Sequence, residues 1–227
     1  SGRPMSISLA QGLSPHGWRK VLGKIEQASD SGLVMRGQVA PRPIGILLGL
    51  TTTLAPFTTR PSFTELSRLP LMERCAALAD PARKAKILAE ETGRGFARLY
   101  NLMDEGRKIW LMSDPPNYEP DPKDSLYAQA MQRGLDPWSY IYDVLLQNNG
   151  TNLLYTPFAN YAEDNLDCCR DMILHKDTVM GLGDGGAHVG TICDASFITT
   201  LITHWGRDRT RGEGIDLPTL IKCQTQD

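Results

Sequence analysis

The first forty residues constrain the fold most strongly, because they follow the order strand, helix, strand. Met5–Ala10 and Leu33–Ala40 have the composition of short strands. Between them, Ser14 and Pro15 are typical of an N-cap and a first helical position, and apolar residues follow at helical spacing to about Ser31. A helical crossover of this length joins parallel strands. We therefore expect an α/β fold.

The remaining sequence predicts further strands and helices in the same rhythm. Residues 41–61 are rich in Pro and Thr and too long for an ordinary connection, which is typical of a lid or binding loop. The other expected strands are Lys108–Met112, Asn152–Tyr155 and Thr178–Leu182. The other expected helices are Phe63–Ala79, with an interruption at Pro70, Pro81–Thr92, Asp124–Arg133, Asp136–Gln147, Asn160–Lys176 and Ser196–Trp205.

Charge and cysteine usage narrow the function classes. The net charge is −2 and the sequence pI is about 6.1. This balance argues against nucleic acid and anionic membrane as partners, because both bind basic surfaces. The five cysteines follow no zinc or disulfide spacing, which favours buried thiols in a reducing cytoplasm. We expect a small-molecule substrate, and a homo-oligomer stays open.

The segment most indicative of chemistry is residues 179–195, VMGLGDGGAHVGTICDA. An apolar strand runs into a glycine-rich turn that presents Asp184 and then His188. Ligands and catalytic groups collect at the carboxyl edge of parallel strands. A carboxylate at that edge can bind a cation and accept a proton from water. Asp184 is therefore the candidate catalytic residue and metal ligand.

Plainer interpretations of the same residues stay open. The GDGG run can be a tight turn in which Asp184 caps a helix, and His188 can be an exposed loop residue. Arg207 is a candidate for binding a substrate carboxylate, although it lies in a short basic run with Arg209 and Arg211 that can simply be a solvated helix end.

Four blocks of the sequence resemble one family. The run VMGLGDGGAHVGTICDASF, followed by THWGRDRTRG, is similar to the last barrel strand and helix of the N-acyl-D-amino-acid deacylases, in the amidohydrolase superfamily. PMSISLAQ, GLVMRGQVAPRPIG and LYTPFANYAEDN resemble that family's fifth, sixth and seventh strands. The resemblance covers nearly the whole chain.

The resemblance implies a zinc-dependent (β/α)8 barrel that cleaves a linear amide with metal-activated water. Asp184 matches the proton-transfer aspartate, and His188 and Arg207 are expected to hold the substrate. Residues 1–227 would form about strands five to eight, with a helical insertion at 41–150. The N-terminal half-barrel and the small β-sandwich would be absent, and the piece alone is expected to be inactive.

Two departures from the family pattern support a rival interpretation. Leu9 stands where the family has a histidine ligand in strand five, and strand six offers Gln38 and Arg42 in place of its histidine. Leucine cannot bind zinc. The alternative is a non-catalytic protein that binds a small molecule or another protein on the same scaffold. Hydrolysis by carboxylates without the metal centre is a third possibility.

Overall fold

The computed structural model describes residues 2–91, 106–181, 183, 190–192 and 195–226. It divides into two compact units. The first comprises Ser1–Ile44, Pro157–Val189 and Cys193–Asp227, and the second comprises Gly45–Thr156 and Gly190–Ile192. The predicted mixture of helices with short strands is confirmed.

The elements are numbered in chain order within the described residues. The strands are β1 (Met5–Leu9), β2 (Met35–Val39), β3 (Ile44–Leu48), β4 (Trp110–Leu111), β5 (Leu154–Ala159) and β6 (Thr178–Met180). The helices are α1 (Gly17–Asp30), α2 (Pro61–Thr64), α3 (Leu71–Leu78), α4 (Pro81–Ala89), α5 (Leu126–Gln132), α6 (Pro137–Gly150), α7 (Asp167–Ile173), α8 (Phe197–Thr203) and α9 (Leu217–Thr225). A short 3₁₀ turn spans Pro122–Asp124, and a π-helical turn spans His204–Asp208.

The first unit contains a parallel sheet in the order β1-β2-β6. Met5 pairs with Met35 at one end of the β1–β2 ladder, and Leu9 pairs with Val39 at the other. Strand β6 joins the far side of β2, where Met180 pairs with Val39. The strand–helix–strand prediction for the first forty residues is therefore confirmed, including the parallel direction.

Helix α1 packs on this sheet through one apolar face. Trp18, Leu22 and Ile25 recur at helical spacing and are buried. A Cβ added to Gly37 of β2 would come within 3.0 Å of Leu9 and 3.3 Å of Ile25, so the glycine permits close packing. The helix begins at Gly17, two residues later than the predicted start at Pro15, and the Gly17 N–H donates to the Ser14 carbonyl.

The segment after β5 corrects a predicted helix. The sequence suggested helix from Asn160 onward, but α7 begins at Asp167. Asn160 has a φ of 62°, in the left-handed region that asparagine tolerates better than most residues. Its side chain bonds two other loops, as described below, and those bonds replace the helical geometry.

The second unit combines helices α2 to α6 with a small sheet in the order β3-β5-β4. Strands β4 and β5 are antiparallel, with Trp110 opposite Tyr155. Strand β3 lies within residues 41–61, so the expectation that this segment is entirely loop was wrong. Five apolar or small residues, Ile-Gly-Ile-Leu-Leu, explain why it enters a sheet instead.

An aromatic cluster forms the centre of the second unit. Phe57 is fully buried, and its ring lies 5.9 Å from Phe63, 5.9 Å from Trp138 and 5.3 Å from Tyr142. The guanidinium of Arg60 stacks 5.1 Å from the Phe57 ring and donates to the Ile87 carbonyl at 2.7 Å. Tilted and edge-to-face ring packing of this kind stabilises the core beyond area burial alone.

The partial barrel stays a prediction. In the first sheet, the strand beside β2 is β6, whereas the resemblance expected the block LYTPFANYAEDN, which begins with β5, to follow it. The sheets are short within the described residues. Among those same residues, no helix is both long enough and apolar enough to cross a membrane.

Candidate functional site at the carboxyl edge of the parallel sheet

Three buried polar residues of the first unit lie just past the ends of strands. Gln11 follows β1, Arg42 follows β2 and Asn160 follows β5. Gln11 and Asn160 are fully buried, and Arg42 is 2% exposed. Polar side chains are costly to bury unless they are hydrogen-bonded, so each of these three needs partners.

Gln11 and Asn160 bond each other reciprocally. The Gln11 N–H donates to Asn160 Oδ1 at 2.8 Å, and the Asn160 N–H donates to the Gln11 carbonyl at 2.8 Å. Gln11 Nε2 also donates to Glu163 at 2.8 Å, and Gln11 Oε1 accepts from the Ala162 N–H at 2.8 Å. The amide of Gln11 thus fixes the loop that follows β5.

The loop after β2 is held from two directions. Asn160 Nδ2 donates to the carbonyls of Ala40, at 3.4 Å, and Arg42, at 3.5 Å. The indole N–H of buried Trp205 donates to the Pro41 carbonyl at 2.6 Å. These bonds satisfy the backbone carbonyls of the three residues that follow β2, and they fix the backbone position of Arg42.

Arg42 contributes a buried positive charge just past the end of β2. Its guanidinium lies 4.3 Å from the centroid of the Phe197 ring, and Nη2 donates to Ser196 Oγ at 3.2 Å. Nη1 donates to the Pro43 carbonyl at 3.2 Å. Stacking on an aromatic face suits the weakly hydrated arginine side chain. The Phe197 ring and the two hydrogen bonds therefore stabilise the buried charge.

A cavity of about 260 Å³ lies beside this edge in the first unit. Its apolar lining comes from five side chains, those of Pro41, Met180, Phe197, Ile198 and Leu201. Gly181 and Gly183, which follow β6, complete one wall, and Cys223 and Gln224 of α9 complete another. The cavity thus opens beside the end of β6, at the edge where α/β folds bind ligands.

Two predicted site residues, Asp184 and His188, lie outside the described residues. Their flanks are described on both sides. Gly183 lines the cavity and directly precedes Asp184 in the chain. Beyond His188, the Gly190 carbonyl accepts from the Thr53 N–H at 3.0 Å within the second unit.

Arg207, the third predicted residue, lies on the π-helical turn with a side chain that is 74% exposed. It forms a two-point ion pair with its neighbour Asp208, with Nη2 2.9 Å from Oδ2. The hydrogen bond to Asp208 raises the pKa of Arg207, and the same bond lowers the pKa of Asp208. Arg207 is not among the described residues that line the cavity. Its substrate-binding role stays a prediction.

The neighbouring arginines have structural partners. The Arg209 side chain is fully buried and donates to Asp167 at 2.6 Å and to the Glu213 carbonyl at 2.7 Å. Arg211 donates to the Tyr161 hydroxyl at 2.9 Å. These two residues tie the segment after α8 to the start of α7.

The described residues do not fit the zinc site that the resemblance implies. Among them, no cluster of three His, Cys, Asp or Glu side chains could hold a metal ion. Leu9 is buried, and Gln38 donates to Ser6 at 3.0 Å. Arg42 adds a positive charge, which opposes a cation nearby. Zinc needs three or four N, O or S donors, and the described residues at this edge do not supply that set.

Sequence reasoning missed Gln11, Asn160 and Ser196 and named Arg42 only as a substitute for a histidine. Gln11 gave one usable signal, since it is a polar residue immediately past a strand end. Asn160 gave none, because its helical surroundings suggested an ordinary helix start. Comparison with protein-family models, with curated proteins and with solved structures finds no match for this chain.

Proposed function

We propose that the protein hydrolyses the amide bond of N-acyl-D-amino acids or related linear amides, at the carboxyl edge of the parallel sheet. The observation that carries this proposal is the cavity beside β6, because its wall residue Gly183 leads directly into Asp184. The resemblance of residues 179–197 and the blocks before them to the deacylases supplies the reaction class.

The proposed chemistry needs one base at the scissile bond. Water attacks the acyl carbon and gives a proton to the Asp184 carboxylate. The C–N bond then breaks, and Asp184 returns that proton to the leaving nitrogen. The products are a carboxylic acid, which ionises, and a free amine. Donors aimed at the developing oxyanion would lower the barrier further.

His188 and Arg207 complete the proposal as substrate-binding residues. A charge-assisted bond from an arginine is the usual way to hold a carboxylate. Arg207 forms an ion pair with Asp208, so a substrate carboxylate must displace Asp208 before Arg207 can bind it. The cytoplasmic location suggested by the cysteines is part of this proposal.

Replacing Asp184 by Asn tests the assigned base. The amide keeps the shape of the side chain but cannot accept the proton, so we expect kcat for amine release to fall by about 10²- to 10⁴-fold. Asp171→Asn is the matched control, because Asp171 is a half-exposed residue of α7 that pairs with Arg19. Full activity in Asp184→Asn would remove the central residue from the mechanism.

The second candidate is a ligand-binding protein without catalysis. Buried Leu9 and the buried Arg42 cation favour it, because they stand where the resemblance expects metal-binding residues. A binding protein would retain an N-acyl-D-amino acid in equilibrium dialysis and return it intact, with no zinc in elemental analysis. Turnover that survives a strong chelator would instead support hydrolysis by carboxylates alone.

A further inference from the structure

The lining of the cavity beside β6 favours the acyl chain of the proposed substrate over its amino-acid carboxylate. Among the described lining residues none is charged, and the polar side chains are those of Gln224 and Cys223. Arg42 is not among these lining residues, and its guanidinium stacks on Phe197 and donates to Ser196 and to the Pro43 carbonyl. An amino-acid carboxylate in the cavity would lose its hydration without a charged lining residue to bind it, which is costly. An uncharged hydrocarbon chain would lose nothing comparable.

Gly183 leaves its part of the cavity wall without a side chain. It has an ordinary backbone conformation, and an added Cβ would make van der Waals contact with Ile198 at 3.7 Å and with Phe197 at 3.8 Å. The apolar side chains of these two residues therefore stay accessible to a ligand at this wall. Ile198 is 59% exposed, and it leaves apolar surface at the cavity that a ligand could cover.

We propose that this cavity binds the aliphatic acyl chain of the substrate, so that the protein prefers acyl groups longer than acetyl. This inference rests on the proposed function, since it assigns the acyl side of the same site. The scissile bond and the amino-acid part of the substrate would then lie outside the cavity.

A series of substrates tests the proposal. The full-length protein is assayed for amine release from acetyl, butanoyl and hexanoyl derivatives of one D-amino acid. Each buried methylene is expected to raise kcat/KM by about fourfold until the cavity is filled. A flat response to acyl length, together with a rise when the amino-acid side chain is lengthened, would overturn the assignment in favour of the other end.

A variant of a cavity residue tests whether the acyl chain binds in this cavity. Ile198→Trp puts a bulky indole ring in the lining and leaves less space for a long acyl chain. We therefore expect the ratio of kcat/KM for the hexanoyl substrate to that for the acetyl substrate to fall about tenfold. The control is Ile221→Trp, an equivalent change on α9 at a residue that is 44% exposed and not among the described lining residues. An unchanged ratio in Ile198→Trp would contradict the proposal.

Binding of free octanoate tests the cavity as a binding site independently of hydrolysis. If no substrate is hydrolysed, calorimetric titration with octanoate still reports on the cavity. Saturable binding at one site per chain that is weakened in Ile198→Trp and kept in Ile221→Trp would support the acyl-chain site while the hydrolase proposal fails. No saturable binding of octanoate would overturn the site itself.

Discussion

Asn160 illustrates how one residue can connect loops that are far apart in the sequence. Its left-handed backbone turns the chain away from β5, and its amide then bonds Gln11, Ala40 and Arg42. An aspartate could accept from Gln11 but could not donate to the two carbonyls. The candidate site therefore depends on an amide at this position and on the partners that it satisfies.

The site residues could be predicted from the sequence only where the signal was local. The GDGG run marks Asp184 because glycines after a strand are visible in the sequence itself. The bond between Gln11 and Asn160 joins residues 149 positions apart, and no local pattern encodes it. Stacking of Arg42 on Phe197 is hidden for the same reason.

Tyr142 gives a residue-scale prediction in the second unit. Burial raises its pKa to about 12 from 10.0, and its hydroxyl donates to the Leu78 carbonyl at 2.9 Å. The unfolded chain loses this proton near pH 10 while the folded chain keeps it. Its contribution to stability is therefore complete below that pH and is lost as the pH rises toward 12, by about 1.4 kcal/mol per pH unit.

Tyr142→Phe isolates that contribution. The variant should be less stable by about 1 kcal/mol near neutral pH, because the Leu78 carbonyl loses its donor. It should then lose less stability than the wild type between pH 10 and 12. Urea unfolding at several alkaline pH values measures the difference. Parallel curves for the two proteins across that range would show that Tyr142 does not titrate as described.

At the scale of elements, capping signals predicted helix starts well where the cap is an aspartate followed by proline. Asp80 accepts from the N–H groups of Ala82 and Arg83, and Asp136 accepts from Ser139. The Ser14-Pro15 pair failed, because α1 starts at Gly17 with no side-chain cap. Serine caps a helix elsewhere in this chain, since Ser125 accepts from the Ala128 N–H at the start of α5.

Asp136 provides the element-scale prediction. Its carboxylate accepts from the Ser139 N–H at 2.8 Å at the start of α6. Asp136→Ala should lower the free energy of unfolding by about 1 kcal/mol, whereas Asp136→Asn should keep most of it, since asparagine is an equally good N-cap. Urea unfolding monitored by circular dichroism measures both. Equal losses in the two variants would point to charge rather than capping.

At the scale of the whole molecule, the strand order was beyond local reasoning. Strand β3 was hidden in a segment rich in Pro and Thr, and the place of β6 beside β2 depends on pairing between residues about 140 positions apart. The alternation of strands and helices nevertheless predicted the parallel direction of β1 and β2, because a helical crossover fixes it. Long-range pairing, in contrast, is decided by packing that no short window contains.

Hydrolysis of N-acyl-D-amino acids is the proposal on which the other site assignments rest. It is tested by amine release from matched N-acyl-D- and N-acyl-L-amino acids, with the acyl group held constant. We expect release from the D series, with the L series slower by at least about tenfold, since a site that positions one enantiomer misplaces the other. A folded sample that releases amine from neither series, with and without added zinc, would contradict it.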